Sequence, residues 1–514
     1  MAKKKGKAGK GAAGGKSANA PWKAKLAMIS QIVSSYRPQK AGGTYMKETL
    51  PELIKQIGYQ QKPVAELIKA QECADGKRFS PGAPGERKTR GLAFESWLRK
   101  NAPECGLDDT FAFQWEGLSE GSGVVAKKDL KKHARFIRIP RKLMITSTQA
   151  SQSPIGQALM KDPTFGTMPN LMLAVHLMFE SLNPESFYAP YLAALPREFS
   201  LPLFFTAEEL NEMEGSPSYY DALKIQKQTL RQYVLASKLL GDRGGLAAGL
   251  KIPTFTYRDF RWAVGVVMTR QNRIPGQQDP SKSVLALIPG WDFCNFKDGE
   301  VATQYNDEVH ASESFTMEDV KEGKQIYIYY GKRPNSKLFL FSGFIAEDHK
   351  SDYVEVLFSD SDTKSEIAKI RGMMLGARRL LPSLQPFRID MKGAPSSICL
   401  TWCRINRASK AEAGTILKAK TPVIEKLSDE NEKLAYSLVK ENVQAALKRY
   451  PTTIDADRKF LDASKEAEKS GSGLSPNAVL CVRLRLKEKI ALEMCIKHAE
   501  EVINGAGTAE AKGK

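Results

Sequence analysis

The sequence contains no run of about 18 or more apolar residues, and so offers no candidate membrane-spanning helix. Its first residues, MAKKKGKAGKGAAGGK, lack the apolar segment of a secretory signal. Both absences lead to the expectation of a soluble protein of the cytoplasm, with the nucleus as a further location. Histidine is scarce. The five, His133, His176, His310, His349 and His498, are scattered, and none has another histidine three or four positions away, so no metal site is expected. His176 falls in the apolar helical run NLMLAVHLMFESL and reads as a core residue rather than a catalytic one. The seven cysteines are odd in number and lack C-x-x-C spacing, which excludes a disulfide framework and a zinc ribbon and suggests free thiols in a reducing compartment. No P-loop, no Ser, His and Asp arrangement, no nucleic-acid-reading motif and no internal repeat is found.

Basic residues, in contrast, are in excess. Lys and Arg number 77 against 58 Asp and Glu, for a net charge of +19, which attracts anionic partners of every class and selects none. Much of the local excess lies in the tail up to about Ala20. That tail has too little apolar surface to offset its ordering entropy and reads as a disordered, solvated extension; nuclear import or a weak nucleic-acid contact is its functional alternative. The remaining composition, 42% hydrophobic and 26% charged over 514 residues, suffices for two to four domains with sizeable cores.

Periodicity divides the chain. From Pro21 to about Cys73, apolar residues at helical spacing (Leu26, Ile29, Ile32, Val33, then Leu50, Leu53, Ile54, Ile57) predict short helices, and a Gly- and Pro-rich loop, KRFSPGAPGERKTRG, separates them from the helical piece FESWLRKNA. Strand-like runs follow at FAFQW, SGVVAK and RFIRIPRKLMIT. Helical patterns occupy Leu159 to about Val267, after which strands return at VLALIP, QIYIYYG, LFLFSGF and YVEVLFS. A strand region split by about 100 residues of helix implies one α+β unit with a helical insertion. Beyond about Ile367 the pattern is mainly helical, with Ser475 and Pro476 as the start of a last long helix.

Three segments carry chemistry: MTRQN at 268–272, ALIPGWDFCNF at 286–296 and IYIYYGKRPNSKLFLFSGF at 326–344. An apolar run that turns at Pro289 and Gly290 and then presents Trp, Asp and Asn in quick succession reads as a lined pocket. Gly121, Ser122 and Gly123 after Glu120 read, alone, as a tight turn. Taken in order, these segments resemble SET-domain protein methyltransferases, of the branch that includes the actin-histidine methyltransferases and the plastid Rubisco lysine methyltransferases. The resemblance runs from about residue 80 to the C-terminal helices and is densest from Arg231 to Phe344.

The resemblance implies an α+β SET domain of short β-strands with a helical insertion, followed by an all-helical C-terminal substrate-binding domain. The expected boundaries are a basic tail (1–20), an N-terminal helical segment (21–107), the SET domain (108–362, insertion about 150–267), the C-terminal domain (363–504) and a flexible tail (505–514). It implies S-adenosylmethionine as cofactor, held by Arg90, Glu120, Gly121, Ser122, Arg270, Asp292, Asn295, Phe296, Ser342, Gly343 and Phe344. Arg231, Gln271, Asn272, Trp291 and Arg333 would line the substrate side, with Tyr330 and Asn272 catalytic. The expected partner is a protein substrate, actin, met by a monomer without membrane attachment. In similar proteins the motif ends Asn-His, whereas here it ends Asn295-Phe296, and Ser122 stands where relatives often carry an aromatic side chain.

Elementary chemistry separates the acceptors. Deprotonating a lysine of pKa near 10.4 at pH 7 costs about 4 to 5 kcal/mol, whereas a histidine near 6.5 is already mostly neutral. A histidine acceptor needs its tautomer fixed, a role suited to the Asn272 amide, and Trp291 supplies a flat apolar wall. Lysine-modifying relatives tend to carry an aromatic residue where Asn272 stands. Lysine transfer on the same scaffold, and a non-catalytic binding module, are the competing readings.

Overall fold

A computed structural model of the chain describes residues 85–240, 253–360, 366–380, 386–419, 421–471 and 473–505, with a few positions between 40 and 71. The basic tail of residues 1–20, the helices expected around Leu26 to Ile57 and the tail beyond residue 505 lie outside the described residues. Helix α1 (Glu86–Asn101) starts inside the stretch expected to be a loop, after Gly85 at φ 85°. Glu86 in its first turn and Arg99 and Lys100 in its last suit the helix dipole. Gly91 faces the Trp115 indole so closely that a Cβ would collide with it, and Trp115 Nε1 donates to Glu95 Oε1 at 2.8 Å.

Strands β1 (Phe111–Leu118), β2 (Gly121–Ala126), β3 (Arg135–Pro140) and β4 (Ile145–Thr146) follow. In β1 alternate residues Phe111, Phe113 and Trp115 are buried, as a half-buried strand requires. Among the described residues eight α-helices then intervene: α2 (Ser147–Gln152), α3 (Pro154–Leu159), α4 (Pro163–Thr167), α5 (Pro169–Leu182), α6 (Ala189–Ala194), α7 (Ala207–Asn211), α8 (Pro217–Leu239) and α9 (Tyr257–Arg270). The chain returns to strands at β5 (Asn272–Pro275), β6 (Ser283–Leu287), β7 (Asn295–Phe296), β8 (Thr303–Asn306), β9 (Ala311–Phe315) and β10 (Gln325–Ile328). They form three small sheets, ordered β1-β2-β10-β7, β8-β9-β3 and β4-β6-β5. Every pairing in them is antiparallel except β7 with β10, which sets Asn295 beside Tyr327 and Phe296 beside Ile328.

The run LFLFSGF, expected as a strand, belongs to helix α10 (Asn335–Ser342). Pro334 precedes the helix, Gly343 closes it at φ 81°, and Leu338, Phe339 and Leu340 are buried. Caps and burial override the strand preference of these side chains. Beyond it, strand β11 (Tyr353–Val356) pairs with β12 (Phe387–Asp390), and helices α11 (Glu366–Ala377), α12 (Ser397–Asn406), α13 (Lys410–Lys418), α14 (Asp429–Leu447), α15 (Ile454–Lys469) and α16 (Pro476–Ile503) complete the chain. Among the described residues this C-terminal body is therefore helical apart from one two-stranded pairing. Ser475 caps α16 and Pro476 occupies its first position, which is pre-set to helical φ.

One core lies beneath the strands and the inserted helices, and a second fills the C-terminal body around Trp402. A third joins them, with Phe205, Leu210 and Tyr219 meeting Phe339 of α10 and Leu484 of α16. Buried charge reinforces the same junction: Asp457 of α15 lies 2.9 Å from Arg485 and 2.6 Å from Lys489 of α16, and Arg485 also reaches Glu212 at 3.1 Å. Among the described residues no helix is long and apolar enough to cross a membrane.

Candidate active site

Helix α9 and strand β6 bring two of the motif segments together. A Thr256–Asp259 capping box starts α9. The helix ends at Arg270, so Gln271 caps it and Asn272 opens β5 opposite Ala286 of β6. After β6 the chain turns at Gly290, φ 98°, a conformation that favours glycine. A single 3-10 turn, Trp291–Phe293, leads to Cys294 and β7.

Two cavities flank this turn. The larger, of about 970 Å³, is lined among others by Arg87, Glu120, Ser122, Phe199, Asn295, Phe296, Ser342, Gly343 and Phe344. The other, of about 540 Å³, is lined by Gln271, Asn272, Trp291, Tyr305, Arg333 and Phe341 among others. Thr269, Arg270, Asp292, Cys294 and Tyr330 line both, and so form the wall at which the two spaces meet.

In the larger cavity Asn295 staples two strands: its Nδ2 donates to the Ser122 carbonyl at 2.8 Å and to Gln325 Oε1 at 2.6 Å. A Cβ on Gly123 would lie 2.8 Å from that nitrogen, so the close approach needs glycine. Arg87 Nη2 donates to Ser122 Oγ at 2.7 Å. Phe296 packs against Tyr330 and Phe344, with ring centroids 5.4 and 5.5 Å away.

The shared wall holds buried polar groups. Asp292 Oδ2 accepts from the Tyr191 hydroxyl at 2.5 Å, and Arg270 donates to the Asp292 carbonyl while its Nη1 lies 3.9 Å from the carboxylate. Asp292 Oδ1 and Arg270 Nε are buried without a hydrogen-bond partner. Burial raises the Asp292 carboxyl to about 6, against the opposing pull of Arg270 and the Tyr191 hydrogen bond. Tyr330 donates its hydroxyl proton to the Cys294 carbonyl at 2.8 Å. Burial holds both the Tyr330 phenol and the Cys294 thiol above their ordinary values, so both stay protonated at neutral pH.

On the other side, Asn272 Oδ1 accepts from the Arg273 N–H at 2.8 Å and keeps a second lone pair. Trp291 Nε1 donates to Thr303 Oγ1 at 3.2 Å, which fixes the indole plane. Gln271 Oε1 is buried without a partner.

Glu120, Ser122, Arg270, Asp292, Asn295, Phe296, Ser342, Gly343 and Phe344, expected around the cofactor, all line the larger cavity. Gly121, at φ 86°, lies beside it, where a Cβ would come within 3.2 Å of Arg87. Arg90 is not among the lining residues; its Nε donates to the Glu86 carbonyl at 3.3 Å, and Arg87 takes the place in the wall. Gln271, Asn272, Trp291, Tyr330 and Arg333 line the smaller cavity, whereas Arg231 is exposed on α8 and lines neither. Arg87, Tyr191, Cys294, Glu347 and Arg483 were not foreseen. Arg87 stands one helical turn from Arg90 and no spacing rule chooses between them; Tyr191 and Arg483 arrive from distant helices with no motif of their own. His176, expected in the core, is half-buried and lines a separate cavity of about 510 Å³. Among the described residues no group of three His, Cys, Asp or Glu side chains is placed to hold a metal ion.

Residues 362–492 match the family described as Rubisco LSMT substrate-binding. The chain is 33% identical over 397 residues to the actin-histidine N-methyltransferase of Dasypus novemcinctus, a match that covers 74% of this chain and 64% of that protein. It is 33% identical over 507 residues to that of Mus musculus, covering 91% of this chain and 80% of the relative. The match to the actin-histidine N-methyltransferase of Canis lupus familiaris is 31% over 440 residues, covering 82% and 71%. Among solved structures, Rubisco LSMT bound to AdoMet superposes with a TM-score of 0.61 at 22% identity, covering 81% of this chain and 93% of that one. The SET domain of LSMT bound to lysine and AdoHcy gives 0.62 at 21%, covering 82% and 94%. At these identities the structural likeness is one of fold.

Proposed function

Because the chain belongs to the family of the actin-histidine N-methyltransferases, we propose that it transfers a methyl group from S-adenosylmethionine to a histidine side chain of a protein, with actin as the substrate. The observation that carries this reading is the wall shared by two cavities, with Tyr330 and Cys294 lining both.

The residues of the larger cavity fit the cofactor. Its volume, about 970 Å³, is ample for a ligand of that size. Phe296 and Phe344 offer an apolar face for a base, and the unpartnered Asp292 Oδ1 offers a negative charge to a cationic ligand. When bound, S-adenosylmethionine supplies an electrophilic methyl group on a sulfonium. Arg87, Glu120, Asn295 and Gly343 would hold it, and Phe296 keeps the backbone groups of its strand although it has no imidazole.

The chain's own residues then have to position and desolvate the acceptor. A neutral imidazole between Trp291 and Asn272 donates its N–H to Asn272 Oδ1, which leaves the other ring nitrogen with its lone pair toward the wall. The indole, held by Thr303, limits the tilt of the ring. With its proton committed to Cys294, the Tyr330 oxygen faces the junction as an acceptor rather than as an acid. No strong base is needed, because the acceptor is not charged at neutral pH.

The test is to incubate the purified protein with labelled S-adenosylmethionine and actin, digest the product and locate the label by mass spectrometry. Label on a histidine supports the proposal. Label on lysine alone, or none, contradicts it.

A further inference from the structure

The segment after α10 is pinned back onto the loop before it. Asn335 Nδ2 donates to the Ala346 carbonyl at 2.9 Å and its Oδ1 accepts from the Ala346 N–H at 2.7 Å, while Asp352 Oδ1 accepts from the Asn335 N–H at 2.8 Å. Gly343, Phe344 and Glu347 of this segment line the larger cavity, and Arg333 of the preceding loop lines the smaller one. Between the two lies His349, whose side chain has no solvent exposure.

Its contacts are directional. Nε2 donates to the Arg333 carbonyl, the ring meets Phe296 edge-on at 5.8 Å and 89°, and Nδ1 is buried without a hydrogen bond, 3.7 Å from Asp298 Oδ1. The Asp298 carboxylate itself accepts from the Lys350 N–H at 3.0 Å. Burying an imidazole with one nitrogen unpartnered is unfavourable, and an apolar ring would fill the same space without that cost. What only a hydrogen-bonding ring supplies here is the grip on the Arg333 carbonyl. The loop so gripped runs from Tyr330 through Gly331, at φ 89°, a position that leaves the backbone conformationally free. Phe296, on the other edge of the imidazole, touches Tyr330 as well.

We propose that His349 is a positioning residue for methyl transfer: it fixes the Tyr330–Arg333 loop of the acceptor cavity against Phe296 of the donor cavity, and so sets the distance between the two reaction partners. The inference rests on the proposed methyl transfer, and its test separates the two claims.

His349→Phe keeps a ring against Phe296 and removes the hydrogen bond; His349→Gln keeps a donor for the Arg333 carbonyl. The expected result for His349→Phe is a kcat reduced by about tenfold, the effect of one buried hydrogen bond, with the calorimetric Kd for S-adenosylmethionine within about twofold of wild type. His349→Gln should recover most of kcat. Hydrogen exchange over residues 330–334 reads the same claim without turnover, and should quicken in His349→Phe while residues 343–346 keep their protection. Unchanged exchange over 330–334, or kcat and donor affinity falling together in both variants, would overturn the positioning role. A wild-type protein that binds the donor but methylates no histidine counts instead against the proposed function, and the exchange comparison still decides the role of His349.

Discussion

The Tyr330 hydroxyl donates to the Cys294 carbonyl at 2.8 Å, and these two residues line both cavities at once. The bond ties the end of β10 to the chain leaving the Trp291–Phe293 turn, so one contact sets the floor of both spaces. Tyr330→Phe removes it while leaving the ring packed on Phe296. The expected outcome is a kcat lower by about ten- to a hundredfold, with donor affinity little changed, because on the proposed reading the lost contact faces the reacting atoms rather than the adenosine. Steady-state kinetics together with calorimetry check both halves.

On the proposed reading, Asn272 decides the acceptor. Asn272→Phe replaces the amide that fixes an imidazole tautomer with an apolar ring, and histidine transfer should fall by at least about a hundredfold in kcat/KM. Any transfer that remains should favour lysine, visible as a changed ratio of labelled residues in a peptide that offers both. An unchanged histidine preference contradicts the role given to Asn272.

On the proposed reading, Asp292 makes donor binding pH-dependent. Its buried carboxyl titrates at about 6, so it is ionised above that pH and neutral below it. A cationic donor prefers the ionised form; affinity should therefore weaken as pH falls, by up to about tenfold between pH 6 and 5. For stability the sign is opposite: the folded chain holds this proton more tightly than the unfolded one, so the contribution of Asp292 declines as pH rises towards 6. Asp292→Asn should bind the donor more weakly at pH 8 and show a flatter pH profile in calorimetry.

Glu488 lies at the junction of the two bodies. Fully buried on α16, it accepts from Ser216 and Tyr450 at 3.0 Å each, and burial raises its carboxyl to about 7. The folded chain thus binds this proton across the window from about 4.5 to 7, and stability is lost as pH rises through it. Glu488→Gln keeps hydrogen-bonding capacity and cannot ionise. Relative to wild type it should gain up to about 3 kcal/mol between pH 4.5 and 8, at 1.36 kcal/mol per pH unit. Thermal unfolding midpoints at pH 5 and pH 8 test this.

The strands around the site were legible because alternation marks a half-buried sheet, as in Phe111, Phe113 and Trp115. The segment LFLFSGF was misleading: its side chains favour strands, and only Pro334 before it and Gly343 after it signal a helix. In the site, residues next to one another in a motif, such as Arg270 to Asn272 or Trp291 to Asn295, were readable because a helix end and a tight turn deliver them together. Arg231 was not, since its place on the 23-residue α8 depends on which face packs inward. Tyr191 escaped for the opposite reason: its hydrogen bond to Asp292 spans 101 residues and leaves no local trace.

A crystal structure with S-adenosylhomocysteine and an actin peptide tests the central claim most directly. The thioether sulfur should face Tyr330 from the Asn295 side, with a histidine ring between Trp291 and Asn272 and its N–H on the Asn272 oxygen. A peptide bound with no imidazole in that slot, or a cofactor seated outside the cavity of Asn295 and Phe344, would contradict it.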